Sequence, residues 1–530
     1  MEVTQEIVKS SSSMTEDHSS KRVTSLAPNN TSPFASFVYF ESKKVAEFRV
    51  TNRHHVSSYG DSSIAKLPNT SMSSEVPRGK SKFQAVKASP PDPKSLLDEV
   101  VRLLLPEDQA RRYIQLYPGN KFKFYLYDDL AEEYTWKNIS ACIDSKYNFP
   151  SNCDWGSSIC TETNVTNIFY SKRRFNRNGD VVVAKVLDEY SGPLRTKDPN
   201  EADLFIVPYP SAGNCECREV VYRCVQNIPI QELKDKLIKK LKFYNAHTKT
   251  KHLFLSSNIW IDAHPSFRKA TVAPLGTILG AHRCNLLENC GRLVVPYVST
   301  IKENQPSVLH QNHAKHLDER KYALTAFMAR KVSGNSIDRV VFFDMVSNVS
   351  EIAGRPIHVS SLHGRAITNN EQFIHGMYRD SVFCPCFRGD EPPQKRIFDV
   401  ILSGCIPVVL QHNPSEEVGW PSHFAPFGRS IRQTYPFSRG NFYNDSDMGI
   451  EFRDMVVELS VNECGMPCLV RTLEDMLTRR PELVREKQRN IAKYGSLLSF
   501  GMEENGLKHP DAISAMLVQA RHYLIHRRKS

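Results

Sequence analysis

Short apolar runs alternate with longer helical patterns through most of this chain. Before residue 300, four such runs predict strands, at Phe122–Tyr127, Ala202–Pro208, His252–Leu255 and Arg292–Pro296. The second run is apolar almost throughout, which is typical of a strand covered on both faces in a parallel sheet. Periodic patterns predict helices over Lys94–Leu105 and Ile230–Asn245. Strands interleaved with helices indicate an α/β domain over residues 95–315.

A second series of the same kind follows. Its strands are predicted at Leu324–Phe327, Arg339–Phe343, Ser381–Cys384 and Cys405–Leu410. Its helices are predicted at Gln394–Ser403, Cys468–Thr478, Pro481–Tyr494 and Asp511–Arg527. This pattern indicates a second α/β domain over residues 316–500 and a helical tail over 501–530. Two such domains in tandem place the default ligand site in the cleft between them.

The N-terminal stretch, residues 1–94, has a different composition. The first 90 residues contain 19 serines, charges of both signs and little hydrophobic periodicity. A segment of this kind buries too little apolar surface to offset the entropy lost on ordering. We therefore expect it to be largely disordered, with the Pro90-Pro91-x-Pro93 cluster marking the boundary.

Overall composition excludes several classes of protein. With 40% hydrophobic and 24% charged residues over 530 positions, the chain is of the soluble globular kind. The excess of 69 Lys and Arg over 58 Asp and Glu is +11, but these charges are dispersed and no stacking motif accompanies them. A nucleic-acid binder is therefore not expected. No run approaches the roughly 20 apolar residues that cross a bilayer. No signal peptide or anchor is visible, so membrane association would need a segment not visible in this sequence.

Thirteen cysteines, none before Cys142, leave two interpretations. One is a secretory-pathway protein with several loop-closing disulfides, and the other is a set of reduced, partly buried thiols. Glycosylation sequons in the folded part favour the secretory lumen, at Asn138, Asn164, Asn348 and Asn444. Zinc is less expected, because Cys215-x-Cys217 and Cys384-x-Cys386 lack the spacings of structural sites. The odd total leaves one thiol free if all pairing is intramolecular.

The strongest local signal lies between residues 380 and 410 and predicts a strand, a loop, a helix and a strand. Gly389 allows a sharp turn, Pro392-Pro393 suits a helix entry, and Gly404 supplies a left-handed helix cap. The free amides of the helix start then lie beside three cationic residues, Arg388, Lys395 and Arg396. Amides, helix dipole and guanidinium groups together form an anion site suited to a diphosphate. The alternative is an ordinary strand-to-helix turn with solvated arginines.

Three elements, in order, carry a resemblance to a known family. The run Phe383-Cys-Pro-Cys-Phe-Arg-Gly-Asp390, followed by Arg396-Ile-Phe-Asp399 and Ser403-Gly-Cys-Ile-Pro-Val-Val409, resembles the signature of exostosin-like glycosyltransferases. Upstream, Lys123-Phe-Tyr-Leu-Tyr-Asp128 resembles the opening strand of that family. The element from Arg195 to Tyr209 is similar to its "T-x-D-P-x-x-A-D-x-F-x-V-P" segment. The likeness covers about residues 120–495.

The resemblance implies the GT-B architecture, in which two Rossmann-like domains face a cleft. It further implies an inverting transfer of a sugar from a nucleotide-sugar donor, a UDP-sugar, to a glycan or glycoprotein acceptor in the Golgi or secretory lumen. No bound catalytic metal or other cofactor is implied. Carried onto this chain, Arg396 is the residue that neutralises the donor diphosphate, with the loop of Arg388, Gly389 and Asp390 beside it. Stabilising the leaving diphosphate is the chemical purpose of such a site.

Inversion also needs a base for the acceptor hydroxyl. Candidates are Asp262 and His264, in a segment whose Trp260 is suited to a sugar platform; the alternative is a surface loop. Glu416 and Glu417 follow a predicted strand, where sugar- or ribose-binding acids lie in nucleotide-sugar folds, or they form a solvated pair. The family's middle motif, usually a W-x-R-x-x-G-x-D-H-F stretch, is poorly kept in this sequence, and this departure favours a second hypothesis. In that hypothesis the chain is a catalytically inactive family member that acts as a carbohydrate-binding or partner subunit.

Overall fold

The computed structural model describes most of the chain beyond residue 92. The described residues are 93–147, 179–210, 217, 236–248, 251–256, 271–274, 293, 295–299, 315–330, 337–362, 371–387, 395–411, 435–439, 448–460, 464–500, 507 and 509–527. Contacts divide the chain into Met1–Ala85 and Val86–Ser530, and all described residues belong to the second unit. The predicted disordered region therefore lies outside the described residues, except for residues 93 and 94, which begin the first helix.

The first sheet has five strands, all parallel to their neighbours. They are β1 (Phe124–Leu126), β2 (Arg195–Thr196), β3 (Leu204–Val207), β4 (His252–Ser256) and β5 (Thr271–Pro274). Their spatial order is β2-β1-β3-β4-β5, with Leu126 opposite Ile206 and Val207 opposite Phe254. All four residues of the central strand β3 are buried. The prediction of a doubly covered strand at this position is confirmed.

The second sheet has six strands. They are β6 (Tyr322–Met328), β7 (Glu351–Ile352), β8 (Arg355–Ser361), β9 (Ser381–Pro385), β10 (Ile406–Gln411) and β11 (Val457–Ser460). Their order is β11-β10-β9-β6-β8-β7. All pairs are parallel except the short hairpin of β7 with β8. The three predicted strands that correspond to β6, β9 and β10 are confirmed.

Ten α-helices with both ends among the described residues surround these sheets. They are α1 (Pro93–Leu104), α2 (Glu107–Leu116), α3 (Trp136–Tyr147), α4 (Gly179–Glu189), α5 (Ile337–Val346), α6 (Glu371–Arg379), α7 (Lys395–Leu402), α8 (Leu469–Thr478), α9 (Pro481–Tyr494) and α10 (Ala512–Arg527). Short 3₁₀ helices lie at Gly119–Lys121, Glu132–Tyr134, Pro199–Glu201, Leu317–Glu319, Phe452–Asp454, Met466–Cys468 and Gly495–Leu498. The helices predicted at α1, α7, α8, α9 and α10 are confirmed.

Both sheets follow the same winding rule. If each sheet is numbered in its own chain order and the two-residue strand β7 is set aside, both read 2-1-3-4-5. This is the flavodoxin-like order, in which the chain reverses direction between the first and third strands. The reversal lies between β1 and β3 in one sheet and between β6 and β9 in the other. The predicted class, an α/β protein with two parallel sheets, is therefore confirmed.

Two predicted strands are wrong. Arg339–Phe343 lies within helix α5, where Phe342 is fully buried and its neighbour Val341 is 43% exposed. A short, continuous apolar run does not distinguish a strand from a helix by periodicity, and here packing decided. Arg292–Pro296 is not a strand either, since its described residues are irregular apart from a single bridge at Val295. The helix predicted over Ile230–Asn245 is helical over residues 236–240 of its described part and ends there.

The last helix packs against the first. Residues 511–520 are all buried, and α10 lies on α1. The Arg521 guanidinium donates to the carbonyls of Tyr117 (2.9 Å) and Pro118 (3.1 Å) and lies over the Phe122 ring. The amide of Gly449 donates to the carbonyl of Leu104 at 3.0 Å. The C-terminal helix thus stabilises the region that leads into β1.

A buried histidine occupies the core of the first sheet. Nδ1 of His252 lies 2.9 Å from the carbonyl of Thr248, and Nε2 lies 2.9 Å from the Tyr127 hydroxyl. A carbonyl only accepts, so Nδ1–H donates to it and Nε2 accepts from Tyr127. The Tyr127 oxygen accepts in turn from the Phe243 amide at 3.3 Å. The ring stacks on Phe205 at 4.8 Å, so the whole arrangement suits a neutral imidazole.

This histidine predicts a loss of stability in mild acid. Burial lowers the pKa of His252 from 6.5 to about 4, with the hydrogen bond to Thr248 acting in the opposite direction. In the unfolded chain the imidazole of His252 binds a proton near pH 6.5, whereas in the folded chain it stays neutral down to about pH 4. The stability that the neutral, buried His252 contributes is therefore complete above pH 6.5 and is lost as the pH falls towards 4. The loss is about 3 kcal/mol. Chemical denaturation between pH 7 and pH 4 measures it.

The matched variants are His252→Gln and His247→Gln, the second at an exposed histidine near the same strand. His252→Gln is expected to reduce the fall in unfolding free energy between pH 7 and pH 4. His247→Gln is expected to show the same fall as wild type. Equal pH dependence in wild type and His252→Gln would contradict this assignment.

Candidate functional site

The unit formed by β9, α7 and β10 lies at the reversal point of the second sheet. β9 pairs with β6 on one side and with β10 on the other. The chain leaves β9 at its carboxyl end, the edge where ligands bind in open α/β sheets, and the next described element is α7. The sequence signature and the topological switch point thus coincide.

Helix α7 forms for the reasons that its sequence predicts. Ile397, Phe398, Ile401 and Leu402 form a buried stripe against the sheet. Gly404, with φ of 74°, adopts the left-handed conformation that ends the helix. Its amide donates to the carbonyl of Ile401 at 2.8 Å. The helix is therefore held along its apolar face and stopped just before β10.

Arg396 lies in the first turn of α7 and is partly buried. Its Nη1 atom is buried without a hydrogen-bond acceptor among the described residues. The guanidinium lies against the Tyr378 phenol and near the Cys386 thiol, and both of these residues are buried. An unpaired, charged N–H donor inside a protein is costly, so the position is suited to an anionic acceptor.

The guanidinium charge influences both neighbours. Burial raises the pKa of the Tyr378 phenol, and the charge and hydrogen bonding of Arg396 oppose that rise. Burial raises the pKa of the Cys386 thiol to about 12, again opposed by Arg396. Both groups are therefore neutral at physiological pH. Neither supplies the negative charge that would pair with Arg396.

Asp399 lies one turn after Arg396 and is a buried, ionised carboxylate. Oδ1 accepts from the Ser299 hydroxyl at 2.5 Å and Oδ2 accepts from the Lys395 ammonium at 2.8 Å. Burial alone would raise the pKa of Asp399. The charges of Lys395 and His375 and the hydrogen bonds from Lys395 and Ser299 outweigh burial, so this pKa lies below its ordinary value. Lys395, expected from sequence to face an anion, is thus paired with a carboxylate of its own helix.

Three disulfides lie in the described part of the chain, as the secretory interpretation expected. They join Cys142 to Cys217, Cys384 to Cys405 and Cys464 to Cys468. The second bridge connects β9 to the residue before β10, so the closed loop contains α7. Cys386 is a free, buried thiol. The pairings could not be read from the sequence, because spacing alone does not decide connectivity.

Most of the predicted site residues lie outside the described residues. These are Asp262, His264, Arg388, Gly389, Asp390, Glu416 and Glu417. Of the predicted anion site, the structure describes Lys395, which pairs with Asp399, and Arg396. The sequence analysis did not predict that Tyr378, Ser299 and the Asp399 carboxylate lie around the helix turn that carries Arg396. Only Asp399 had a signal, since it belongs to the Arg396-Ile-Phe-Asp399 motif.

The reversal point of the first sheet carries polar groups as well. Asp128 and Asp129 follow β1, and the Arg195 guanidinium lies 3.5 Å from the Asp128 carboxylate. The Lys242 ammonium pairs with Asp129. Asp128 and Asp129 are therefore each paired with a cation from the region of the first sheet. Among the described residues, no group of three or more His, Cys, Asp or Glu side chains is arranged to hold a metal ion.

A family model decides what the chain is. The model of the Exostosin GT47 domain matches residues 118–422, which is more than half of the 530 residues. The chain belongs to the Exostosin GT47 family. No curated protein matches it.

The Exostosin GT47 match covers both reversal points and the helix that carries Arg396. It begins just before β1 and ends after β10, so the helices α8, α9 and α10 lie beyond it. The family is one of glycosyltransferases, which act on a sugar donor and an acceptor. The family resemblance stated from the three sequence elements is thereby confirmed.

The Cys384–Cys405 disulfide is expected to contribute more to the free energy of unfolding than the shorter Cys464–Cys468 disulfide. Replacing both cysteines with alanine is expected to lower the free energy of unfolding by about 3 kcal/mol, because the unfolded chain then loses a closed loop. The bridge spans 21 residues, whereas Cys464–Cys468 spans 4. Removing the shorter bridge is the control and is expected to cost about 1 kcal/mol less. Urea denaturation checks both values, and an unchanged midpoint for the longer bridge would refute the expectation.

Proposed function

We propose that this Exostosin GT47 chain is an inverting glycosyltransferase. It moves a sugar from a nucleotide-sugar donor, a UDP-sugar, to a glycan or glycoprotein acceptor. The observation that carries the proposal is the buried Nη1 of Arg396, which has no acceptor among the described residues and lies beside the switch point of the second sheet.

A diphosphate fits this position by charge and by geometry. The guanidinium of Arg396 has N–H donors in a fixed fork, and a phosphate presents several acceptor oxygens. The first-turn amides of α7 and its helix dipole favour an anion at the same end. Tyr378 and Cys386 are neutral, so they leave the charge of Arg396 available to a ligand. Lys395 contributes less, because Asp399 pairs with it.

The chemistry follows from the position of this charge. As the bond between the sugar and the diphosphate breaks, negative charge develops on the departing oxygen. A cation held in place before the reaction stabilises that charge without reorganisation. The charge compensation comes from the protein, so the proposal requires no bound metal or other cofactor.

The remaining predicted residues have roles in this scheme that rest on strand order. The segments with Arg388, Gly389 and Asp390 and with Glu416 and Glu417 follow the neighbouring strands β9 and β10. Because parallel strands end at one sheet edge, we assign both segments to the donor side. Asp262 and His264 follow β4 of the first sheet, on the side that we assign to the acceptor and to the base. The two sheets would then face each other across a GT-B cleft.

Replacing Arg396 tests the donor site. Arg396→Ala is expected to lower kcat/KM for sugar transfer about a hundredfold, because a preorganised donor to the developing charge is lost. Arg396→Lys keeps the charge without the planar fork and is expected to recover only part of the rate. The measurement is transfer or hydrolysis of each sugar in a panel of nucleotide sugars that is first ranked by thermal shift.

Arg489→Ala is the matched control, since Arg489 is an exposed arginine on α9 of the same lobe. It is expected to leave both binding and rate unchanged. Donor binding without turnover in the wild-type chain would point to the inactive, carbohydrate-binding alternative. Wild-type turnover that Arg396→Ala leaves intact would refute the role of this arginine.

The proposed compartment is the Golgi or the secretory lumen. Three disulfides in the described part favour an oxidising environment. The helices of the described part include none that is long and apolar enough to cross a membrane.

Glycosylation of Asn348 tests the compartment. The sequon Asn348-Val-Ser350 lies in the turn between α5 and β7, with Asn348 exposed. Expression in a eukaryotic secretory host is expected to place a glycan there. Asn348→Gln and Ser350→Ala should each remove the mass of one glycan, whereas Ser350→Thr, which preserves the sequon, should keep it. Intact mass spectrometry that finds Asn348 unmodified in secreted material would contradict the assignment.

A further inference from the structure

A short segment of the chain connects the two sheets and lies on the helix that carries Arg396. Residues 295–299, the crossover segment, come after β5 and before β6 in the sequence. Four of the five residues are buried. The ring of Tyr297 lies 6.0 Å from that of Phe398 on α7. The crossover segment therefore packs directly against the donor-side helix, although about 100 residues separate them in sequence.

A buried hydrogen bond also joins the crossover segment to α7. The Ser299 hydroxyl donates to Oδ1 of Asp399 at 2.5 Å, and both residues are buried. Hydrogen bonds to an ionised acceptor are about twice as strong as neutral ones. The other oxygen, Oδ2, is occupied by Lys395. Asp399 is thus held from two directions, by its own helix and by the crossover segment.

The position of Asp399 makes this contact relevant to Arg396. Residues three apart on a helix lie one above the other on the same face. Arg396 and Asp399 have this spacing, so a contact that fixes Asp399 also fixes the rotation of the helix at Arg396. The apolar stripe of α7 buries the helix against the sheet, and the directional hydrogen bond from Ser299 to Asp399 adds a restraint on the orientation of the helix.

We propose that Ser299 and Asp399 are positioning residues, whose hydrogen bond couples the crossover segment to α7 and holds Arg396 in the orientation that binds the donor diphosphate. This inference rests on the proposed function and adds a residue outside the family signature to the donor site. Ser299 touches no substrate in this scheme. It acts only through Asp399 and Arg396.

Ser403, which directly follows α7, offers a matched control. The Ser403 hydroxyl is also buried and donates at 2.8 Å to Asp399, but to its backbone carbonyl rather than its carboxylate. Ser299→Ala and Ser403→Ala each remove one buried hydroxyl from the same acceptor residue. Only the first breaks the link to the crossover segment.

The experiment measures nucleotide affinity by isothermal titration calorimetry, in metal-free buffer. The probe is whichever of UDP and GDP the wild-type chain binds more tightly. Circular dichroism first sets a temperature at which every variant is folded, so a loss of affinity does not reflect unfolding. Ser299→Ala is expected to weaken binding about fivefold, and Ser403→Ala less than twofold, since a hydrogen bond to a charged group is the stronger one. Asp399→Asn, which removes the charge, should also weaken binding.

A double-mutant cycle separates positioning from a general structural effect. If Ser299 acts through Arg396, then Ser299→Ala has no further effect on affinity in the Arg396→Ala background. Ser299→Thr keeps the hydroxyl and is expected to bind within twofold of wild type. Equal affinities for Ser299→Ala and wild type would overturn the inference, as would an additive double variant or a folded Ser299→Thr that binds as weakly as Ser299→Ala.

Failure of the inference is distinguishable from failure of the proposed function. If the wild-type chain binds neither UDP nor GDP, or if Arg396→Ala binds as well as wild type, the donor site itself is refuted. If Arg396→Ala loses affinity and Ser299→Ala does not, the donor site stands and only the coupling through the crossover segment is refuted.

Discussion

The candidate site depends on one buried carboxylate that must stay charged. Asp399 has almost no access to water, so its charge depends on Lys395 and Ser299, which donate to its two oxygens, and on the nearby charge of His375. Breaking a buried pair on one side leaves an uncompensated charge, which costs more than the pair contributes. That penalty holds α7 against the crossover segment and keeps the ammonium group of Lys395 paired with Asp399. Arg396 is consequently the cation of this helix whose guanidinium retains an unpaired donor.

Strand order explains why this helix lies at the switch point of the second sheet. Each sheet reverses direction between its first and third strands, and at such a point the connections diverge to opposite sides and leave a crevice. In the second sheet the strand on that crevice is β9, which leads into α7. The disulfide between Cys384 and Cys405 ties the two strands that flank the helix. Topology, a covalent bond and a buried ion pair thus restrain one eight-residue helix.

Membership of the Exostosin GT47 family and the local structure of the site agree on a sugar-transfer chemistry. The family supplies the reaction class, and the unpaired guanidinium nitrogen supplies a physical reason for a phosphate-bearing donor. Of its described neighbours, Tyr378 and Cys386 stay protonated because they are buried, and the Asp399 carboxylate one turn away is paired with Lys395. Within the described part of the chain, a charged ligand would therefore meet an unpaired guanidinium donor at a partly buried position, where electrostatic attraction is stronger than in bulk water.

The sequence by itself determined the periodic elements and the family signature. The buried strand β3, the stripe of α7 and the left-handed cap at Gly404 follow from local patterns, because each depends on neighbours close in the chain. Tertiary structure decided the rest. Arg339–Phe343 became a helix through packing, Arg292–Pro296 lost its predicted strand, and α10 joined α1 from the far end of the chain. The Ser299–Asp399 contact spans 100 positions, and such pairings depend on how whole elements pack rather than on any local pattern.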